Sequence, residues 1–263
     1  MKIEGRTFVV SGGASGLGQA AVEEICRHGG NVAILDLNEE LGGEVVKSLP
    51  KGSGKFFVCD VLETESITTA VTEIVKWIED TGKPMGGVIP AAGVGSAATI
   101  LDRNGDAFSL ESFDFTVNIN LRGTIDLVRQ CLVHLARTNP DDHNQERGVV
   151  IMVASVAAFD GQKGQVAYAA SKGAVAAMTL PMTRDLSRYG IRCMTIAPGI
   201  FESRMTAVLP KKLFEGLAAA AEFPRRAGQP KEFAQLVTQI IENPMLNGTV
   251  IRLDGGLRVP AKI

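Results

Sequence analysis

The stretch that decides the fold is TFVVSGGASGLG, residues 7–18. Its first five residues predict a buried β-strand, and the segment from Gly16 onward has the apolar spacing of a helix. Gly12, Gly16 and Gly18 lie at the junction, where a tight backbone can approach a phosphate and the helix N-terminus offers free N–H groups. The sequence therefore predicts a nucleotide site at this turn, with an ordinary tight turn as the alternative.

Alternation of strand and helix continues from this turn along the chain. Six further strands are predicted at Asn31–Asp36, Lys55–Asp60, Gly87–Pro90, Val149–Ala154, Ile191–Ala197 and Thr249–Leu253. Most are continuously apolar, which is typical of parallel strands buried on both faces. Helices are predicted at Gly16–His28, Glu39–Ser48, Glu63–Thr81, Asn118–Thr138, Tyr168–Tyr189 and Pro230–Ile241. The pattern predicts a single α/β domain over residues 1–263, a doubly wound parallel sheet with helices on both faces.

Two segments interrupt this alternation. Residues 94–110 follow the fourth predicted strand, and residues 199–228 follow the sixth and contain an amphipathic piece at Lys211–Ala221. Both leave the carboxyl ends of strands, where ligands bind in such sheets. Because loops of this length are commonly functional, we expect both to border a substrate cleft.

Composition excludes several classes of function. The 263 residues are 45% hydrophobic and 21% charged, which excludes wholesale disorder. A net charge of −2 gives no basic surface for nucleic acid or an anionic membrane, and we predict neither as a partner. The four cysteines and three histidines form no metal or redox motif, so we predict no metal site and four buried, reduced thiols. No apolar run could span a membrane and no leader precedes the first strand, so we expect a soluble, intracellular protein.

The second and third predicted strands each end in a carboxylate. Asp36 can accept hydrogen bonds from the adenosine ribose of a dinucleotide, and it would repel a 2′-phosphate. Its neighbours Ala14, Ser15 and Leu37 offer no cation that would hold such a phosphate, which favours NAD over NADP. Asp60 is placed where it could face the adenine. A turn or helix-cap role is the alternative for both carboxylates.

A second constellation lies between the fifth predicted strand and the helix that follows it. Tyr168 and Lys172 are four residues apart and share one helical face, and Ser155 comes directly after the strand. A free tyrosine, with a pKa of about 10, is a poor base at neutral pH. An ammonium about 4 Å away is worth roughly 4 kcal/mol at an effective dielectric of 20, enough to lower that pKa by a few units. The three residues predict proton transfer at an alcohol oxygen.

These features together resemble the classical short-chain dehydrogenase/reductase family. The resemblance rests on the SGGASGLG turn, Asp36, Asp60, Asn120, Ser155, Tyr168-x-x-x-Lys172 and Pro198-Gly199. It implies a seven-stranded Rossmann-type domain, a nicotinamide cofactor and hydride transfer between an alcohol and a ketone. It also implies a homotetramer, for which the Ala169–Thr183 helix and the tail at Leu253–Gly256 are candidate contacts.

The resemblance further implies a role for each site residue. Tyr168 would be the general acid/base, and Ser155 would hold the substrate oxygen. Lys172 would contact the nicotinamide ribose and lower the pKa of Tyr168, and Asn120 would hold a proton-relay water. The implied cofactor-binding residues are Gly12, Ser15, Gly16, Leu17, Gly18, Asp36, Leu37, Asp60, Val61, Ala91, Gly93, Tyr168, Lys172, Pro198, Gly199, Phe201 and Ser203.

Within the family, the C-terminal half most resembles the branch of type II 3-hydroxyacyl-CoA dehydrogenases, also called type 10 17β-hydroxysteroid dehydrogenases. The similarity lies in ASVAAF at 154–159, TIAPGIF at 195–201 and IIENPMLNG at 240–248. It implies an L-3-hydroxyacyl-CoA substrate and a place in fatty acid metabolism. The implied substrate contacts are Ser155, Gln162, Phe201, Met205 and Leu209. A CoA phosphate could meet the cations Lys211, Lys212, Arg225 and Arg226, with a solvated charged surface as the alternative.

Departures from the family pattern leave other functions open. The family's Asn-Asn-Ala-Gly stretch is Pro90-Ala91-Ala92-Gly93 here, which predicts a less rigid cofactor pocket. Glu202 and Arg204 replace smaller residues of the branch. One alternative is therefore a biosynthetic ketoreductase for a bulkier cyclic ketone, and another is a catalytically idle NAD-binding scaffold, against which the intact catalytic residues argue. The terminal Ala261-Lys262-Ile263 loosely resembles a peroxisomal address, so cytoplasm and peroxisome both stay open.

Overall fold

One parallel sheet organises the computed structural model, which describes residues 1–141 and 143–258. Its strands are β1 (Thr7–Ser11), β2 (Asn31–Asp36), β3 (Gly54–Val58), β4 (Met85–Pro90), β5 (Gly148–Val153), β6 (Ile191–Pro198) and β7 (Val250–Leu253). They lie in the order β3-β2-β1-β4-β5-β6-β7. The order reverses between β1 and β4, and such a reversal opens a crevice at the carboxyl ends of the strands. The predicted doubly wound sheet of seven strands is confirmed.

Helices connect the strands on both faces. They are α1 (Gly16–Arg27), α2 (Glu39–Ser48), α3 (Thr64–Thr81), α4 (Leu110–Val117), α5 (Thr124–Leu135), α6 (Val166–Leu186), α7 (Arg204–Ala207), α8 (Lys211–Ala219) and α9 (Pro230–Glu242). A π-helical turn, Asn118–Gly123, joins α4 to α5. Helical structure therefore starts at Leu110, eight residues before the predicted start, because the Ser109 hydroxyl accepts the N–H of Ser112 and caps the first turn.

Two apolar cores lie on opposite faces of the sheet. Successive residues of β1 alternate between them: Val9 packs under α3, α5 and α6, whereas Phe8 and Val10 pack under α1, α2 and α9. All four cysteines are buried and unpaired, as predicted, and burial raises the pKa of Cys131 to about 12. Among the described helices, none is both long and apolar enough to cross a bilayer. Residues 261–263, which carry the proposed address, lie outside the described residues.

The proline at the end of β4 does not loosen the strand on the side of the cofactor turn. Ala91 donates its N–H to the carbonyl of Ser11 in β1, at 3.1 Å. Because successive residues of a strand direct their backbone groups to opposite neighbours, Pro90 faces β5, and the register between β4 and β5 already ends two residues earlier. The Ser11 hydroxyl also accepts the N–H of Ala92, at 3.3 Å. The pairing of β1 with the end of β4 thus keeps its hydrogen bonds.

The two long segments lie above the carboxyl ends of the strands and contain only isolated bridges and short helices. In residues 94–110, single bridges pair Leu101 with Ala107 and Ala98 with Gln165. In residues 199–228, the short helices α7 and α8 follow a bridge between Phe201 and Gly228. Both segments leave strand ends at the crevice, as predicted.

Candidate active site

A cleft of about 820 Å³ opens at the carboxyl ends of the strands. Most of the predicted site residues line it: Gly12, Ser15, Gly16, Leu17, Asp36, Leu37, Asp60, Val61, Ala91, Gly93, Ser155, Tyr168, Lys172, Pro198, Gly199, Phe201, Ser203 and Met205. Four do not: Gly18 and Asn120 lie behind its wall, Gln162 lies in the turn before α6, and Leu209 follows α7. Positions separated by up to about 190 residues are thus brought to one cavity by the parallel topology.

The glycine turn after β1 is shaped by close backbone contacts. Gly12 has a positive φ of 65°, and a Cβ there would lie 2.8 Å from the Ala92 nitrogen. A Cβ on Gly18 would lie 2.2 Å from the Gly12 carbonyl oxygen, so Gly18 supports the turn from behind and does not face the cleft. Ser15 precedes α1 at the N-cap position, but its side chain makes no capping hydrogen bond. The first N–H groups of α1 are therefore left for a ligand, which fits a diphosphate.

Asp36 and Asp60 both line the cleft and both brace a turn. Asp36 accepts the N–H groups of Ala14 and Asn38, each at 3.2 Å, and Asp60 accepts that of Leu62 at 2.9 Å. Their predicted alternative, a turn role, is therefore real, but each carboxylate oxygen has a second lone pair for a ligand. The hydrogen-bond donors to Asp36, which are Ala14 and Asn38, and its neighbour Leu37 are uncharged.

Ser155, Tyr168 and Lys172 meet at the end of β5. Ser155 caps a short 3₁₀ turn by accepting the N–H of Ala157 at 3.1 Å, and its hydroxyl is near enough to Tyr168 to lower the pKa of the tyrosine. One helical turn further along α6, the buried Lys172 donates from Nζ to the carbonyl of Val153, at 2.8 Å. That ammonium lies 5.9 Å from the centre of the Tyr168 ring. The predicted constellation of three side chains is assembled.

Desolvation dominates the electrostatics of this group. Burial raises the pKa of Tyr168, and the nearby Ser155 hydroxyl opposes that rise. Burial also lowers the pKa of Lys172 to about 8. The Lys172 ammonium is directed at the Val153 carbonyl, and burial outweighs the influences that lower the pKa of Tyr168. Tyr168 therefore keeps its proton at neutral pH in the protein alone.

Comparison with known proteins assigns the family. Residues 6–213 match the family model for short chain dehydrogenases. The chain belongs to the short-chain dehydrogenase family. It is 43% identical over 258 residues to the 3-hydroxyacyl-CoA dehydrogenase type-2 of Drosophila melanogaster (98% of this chain, 99% of that one). It is 42% identical over 261 residues to the Homo sapiens protein of the same name (98% and 97%).

A solved structure agrees with these sequence matches. The 3-hydroxyacyl-CoA dehydrogenase type-2 from Mycobacterium avium superposes with a TM-score of 0.91 at 34% identity, covering 98% of each chain. This short-chain dehydrogenase is accordingly an oxidoreductase that depends on a nicotinamide dinucleotide.

Asn120 of the dehydrogenase is fully buried, and its side chain makes three hydrogen bonds. Its Oδ1 accepts the N–H of Val94 at 2.8 Å, and its Nδ2 donates to the Val94 carbonyl and to the Ser171 hydroxyl. The Asn120 carbonyl accepts from Thr124, at 2.8 Å. The side chain thus anchors the start of the 94–110 segment.

Sequence reasoning misses several groups of this cleft. Phe115, Ile119 and Arg204 line it, and the four-residue spacing of the first two is a signal that they share a helical face. Arg226, one of the four cations that could meet a CoA phosphate, forms a two-pronged salt bridge with Glu232, which fits the alternative of a solvated charged surface. That pairing holds the pKa of Glu232 at about 2. Arg204 is the exposed cation that lines the cleft.

Proposed function

We propose that this dehydrogenase catalyses the reversible, NAD-dependent oxidation of an L-3-hydroxyacyl-CoA to the 3-oxoacyl-CoA. The observation that carries the proposal is that Ser155, Tyr168 and Lys172 meet on one wall of the cleft. The full-length similarity to proteins named 3-hydroxyacyl-CoA dehydrogenase type-2 supports the substrate.

NAD is supported by the residues of one half of the cleft. The uncapped N-terminus of α1 and the glycine turn would hold the diphosphate. Asp36 would accept hydrogen bonds from the adenosine ribose, and Asp60 with Val61 would border the adenine. The segment from Pro198 to Ser203, with Ala91 and Gly93, would border the nicotinamide end. When bound, the nicotinamide supplies the hydride acceptor or donor that the chain itself lacks.

The acid/base work falls to Tyr168. In ketone reduction its hydroxyl would donate a proton to the substrate oxygen, and in alcohol oxidation the phenolate would accept that proton. A raised pKa keeps the acid form ready at neutral pH, which suits reduction. Ser155 would donate its hydrogen bond to the same substrate oxygen. Lys172, which is mostly protonated below pH 8, would stabilise the phenolate during oxidation.

The other half of the cleft suits an acyl chain that carries an anionic headgroup. Phe201 is buried and Met205 is half-exposed, and both face the cavity together with Phe115. Arg204, which replaces a smaller residue of the branch, offers a cation at the same opening. Of the four outer cations considered for CoA, Arg226 pairs with Glu232, and Lys211 pairs with Glu215 at 3.8 Å.

Loss of NADH absorbance with acetoacetyl-CoA, and with a bulky cyclic ketone, tests the proposal directly. We expect turnover of acetoacetyl-CoA and of longer 3-oxoacyl-CoA, with a higher kcat/KM for NADH than for NADPH. Good turnover of the cyclic ketone alone would move the assignment to a biosynthetic ketoreductase. NADH binding without turnover of any ketone would support a scaffold.

We also propose that the dehydrogenase is a homotetramer. Inner positions of α6, such as Val175 and Thr179, are buried against the sheet. Its outer positions Val166 and Leu180 are each 45% exposed, which leaves an apolar surface for a second copy. Multi-angle light scattering at micromolar concentration should give about four times the 27.9 kDa chain mass. A monomer mass at that concentration would contradict this assembly.

A further inference from the structure

The π-helical turn at Asn118–Gly123 contacts both ends of the cleft. From one side of the turn, Asn120 holds Val94 by two hydrogen bonds, at 2.8 and 2.9 Å. From the other side, Arg122 and Gly123 contact the loop that follows β3. Turns of the π type are rare and are frequently found at functional sites, where the extra residue redirects neighbouring side chains.

Arg122 binds the loop after β3 at Leu62 and the start of α3 at Thr64. Its Nη1 donates to the Leu62 carbonyl at 3.1 Å, and its Nη2 donates to the Thr64 hydroxyl at 3.0 Å. The Thr64 hydroxyl in turn donates to the buried carboxylate of Asp126, at 2.7 Å. The guanidinium is therefore connected through Thr64 to the buried carboxylate of Asp126 in α5.

The loop that Arg122 binds is part of the cleft wall. Asp60, Val61 and Leu62 all line the cavity, and Leu62 donates its N–H to the Asp60 carboxylate at 2.9 Å. Gly123 packs against the same wall, because a Cβ there would lie 2.7 Å from the Val61 carbonyl oxygen. Displacement of Leu62 would therefore move the carboxylate of Asp60 as well.

We propose that Arg122 is a positioning residue for cofactor binding, which holds the wall formed by Asp60, Val61 and Leu62 against the adenosine half of the dinucleotide. This role rests on the proposed placement of the adenine beside Asp60. Arg122 acts through the backbone of Leu62 and is not expected to touch the reacting atoms. Because the π turn also carries Asn120, one six-residue turn braces the adenosine wall and the Val94 end of the cleft together.

Titration calorimetry with NADH and with ADP-ribose tests this role, since ADP-ribose has the adenosine and diphosphate but no nicotinamide. We expect Arg122→Met to raise both Kd values by about three- to tenfold, as fits the loss of two exposed hydrogen bonds from a charged donor. At saturating NADH, kcat should be unchanged. Arg122→Lys, which keeps one donor, should recover part of the loss.

Arg129→Met is the matched control. Arg129 pairs with the same carboxylate of Asp126, at 2.7 Å, but it is 60% exposed and follows the π turn. We expect this variant to bind both ligands as the unmodified protein does. Thr64→Val, which removes the second contact of Arg122, provides an independent test and should raise both Kd values in the same direction as Arg122→Met.

Three results would overturn the role of Arg122. The first is an unchanged Kd for ADP-ribose in Arg122→Met. The second is a loss that appears in kcat at saturating NADH instead of in binding, and the third is an equal loss in Arg129→Met. If ADP-ribose fails to bind the unmodified protein, the placement of the adenine beside Asp60 is wrong, and so is the role of Arg122. Failure of acyl-CoA turnover alone leaves the binding measurement decisive, because the titration requires no substrate.

Discussion

The two sides of the cleft are built differently. On the cofactor side, backbone hydrogen bonds connect each strand end to the next: Gly13 donates to Leu35 at 3.2 Å, and Cys59 donates to Asp36 at 3.0 Å. On the substrate side, the segments 94–110 and 199–228 are held by isolated bridges and short helices. Apolar side chains stay exposed there, including Val208 at 82%.

This difference separates the cofactor side, which binds an unchanging ligand, from the substrate side, whose ligand can vary. A site made of backbone groups is rigid and tolerates few substitutions, which suits a ligand that is the same in every catalytic cycle. A site made of side chains on loops can change its ligand without disturbing the sheet. We therefore expect substitutions on the cofactor side to affect every substrate equally, and substitutions on the substrate side to change selectivity.

The largest effect is expected at Tyr168, where the two sides meet. Tyr168→Phe removes the proton donor but keeps the ring, so kcat should fall by about 10²- to 10⁴-fold for every substrate. The Kd for NADH, measured by fluorescence, should change little. Tyr189→Phe is the control, because Tyr189 is the other tyrosine of the chain and lies away from the cleft beside Arg188. A Tyr168→Phe protein with near-normal kcat would refute the catalytic assignment.

The rigidity of the cofactor side can be broken at Gly12. Gly12→Ala places a methyl group against Ala92 at a positive φ, which costs about 1–3 kcal/mol, so the Kd for NADH should rise about tenfold or more. Gly43→Ala in α2 meets no atom within 4 Å and should stabilise the fold by about 0.5–1 kcal/mol, seen as a higher Tm. If Gly12→Ala binds NADH normally, the turn is not the diphosphate site.

Asp36 tests whether one side chain on the rigid side sets the choice of cofactor. Asp36→Ala removes the ribose acceptor and the repulsion of a 2′-phosphate. The ratio of kcat/KM for NADH to that for NADPH should therefore fall about tenfold. Asp80→Ala, at an exposed carboxylate near the end of α3, should leave the ratio unchanged. An unchanged ratio in Asp36→Ala would assign cofactor preference to other residues.

On the substrate side, Met205 should affect substrates and not the cofactor. Met205→Ala removes apolar surface worth about 0.8 kcal/mol per buried methylene, so KM for a long-chain 3-oxoacyl-CoA should rise about three- to tenfold. KM for acetoacetyl-CoA and the Kd for NADH should stay nearly constant. Val208→Ala, at an exposed residue that does not line the cleft, is the matched control. A rise in the Kd for NADH alone would place Met205 on the cofactor side.

The smallest effect is expected in the pH profile. For ketone reduction, kcat/KM should stay flat through neutral pH and fall on the alkaline side, where Tyr168 loses the proton that burial helps it retain. Ser155→Ala removes the group that lowers the pKa of Tyr168, so the alkaline fall should move to higher pH. A shift to lower pH would show that Ser155 does not stabilise the phenolate.

Local signals in the sequence are sufficient for the sheet and for the chemistry. The apolar runs and the glycine turn place β1, β2 and α1 to within about a residue, because each pattern depends on neighbours along the chain. The early start of helical structure at Leu110 escapes this reading. The cap at Ser109 is a weak signal there, and the π turn follows no helical period that a pattern could reveal.

What the sequence by itself determines is which chemical groups are present and which strand end carries each one. The tertiary structure decides which of them meet. It directs Lys172 at Val153, pairs Arg226 with Glu232 and joins Asn120 to Val94, three contacts that no local pattern shows. The physical reason is that hydrogen bonding and desolvation depend on neighbours brought together by folding from distant parts of the chain.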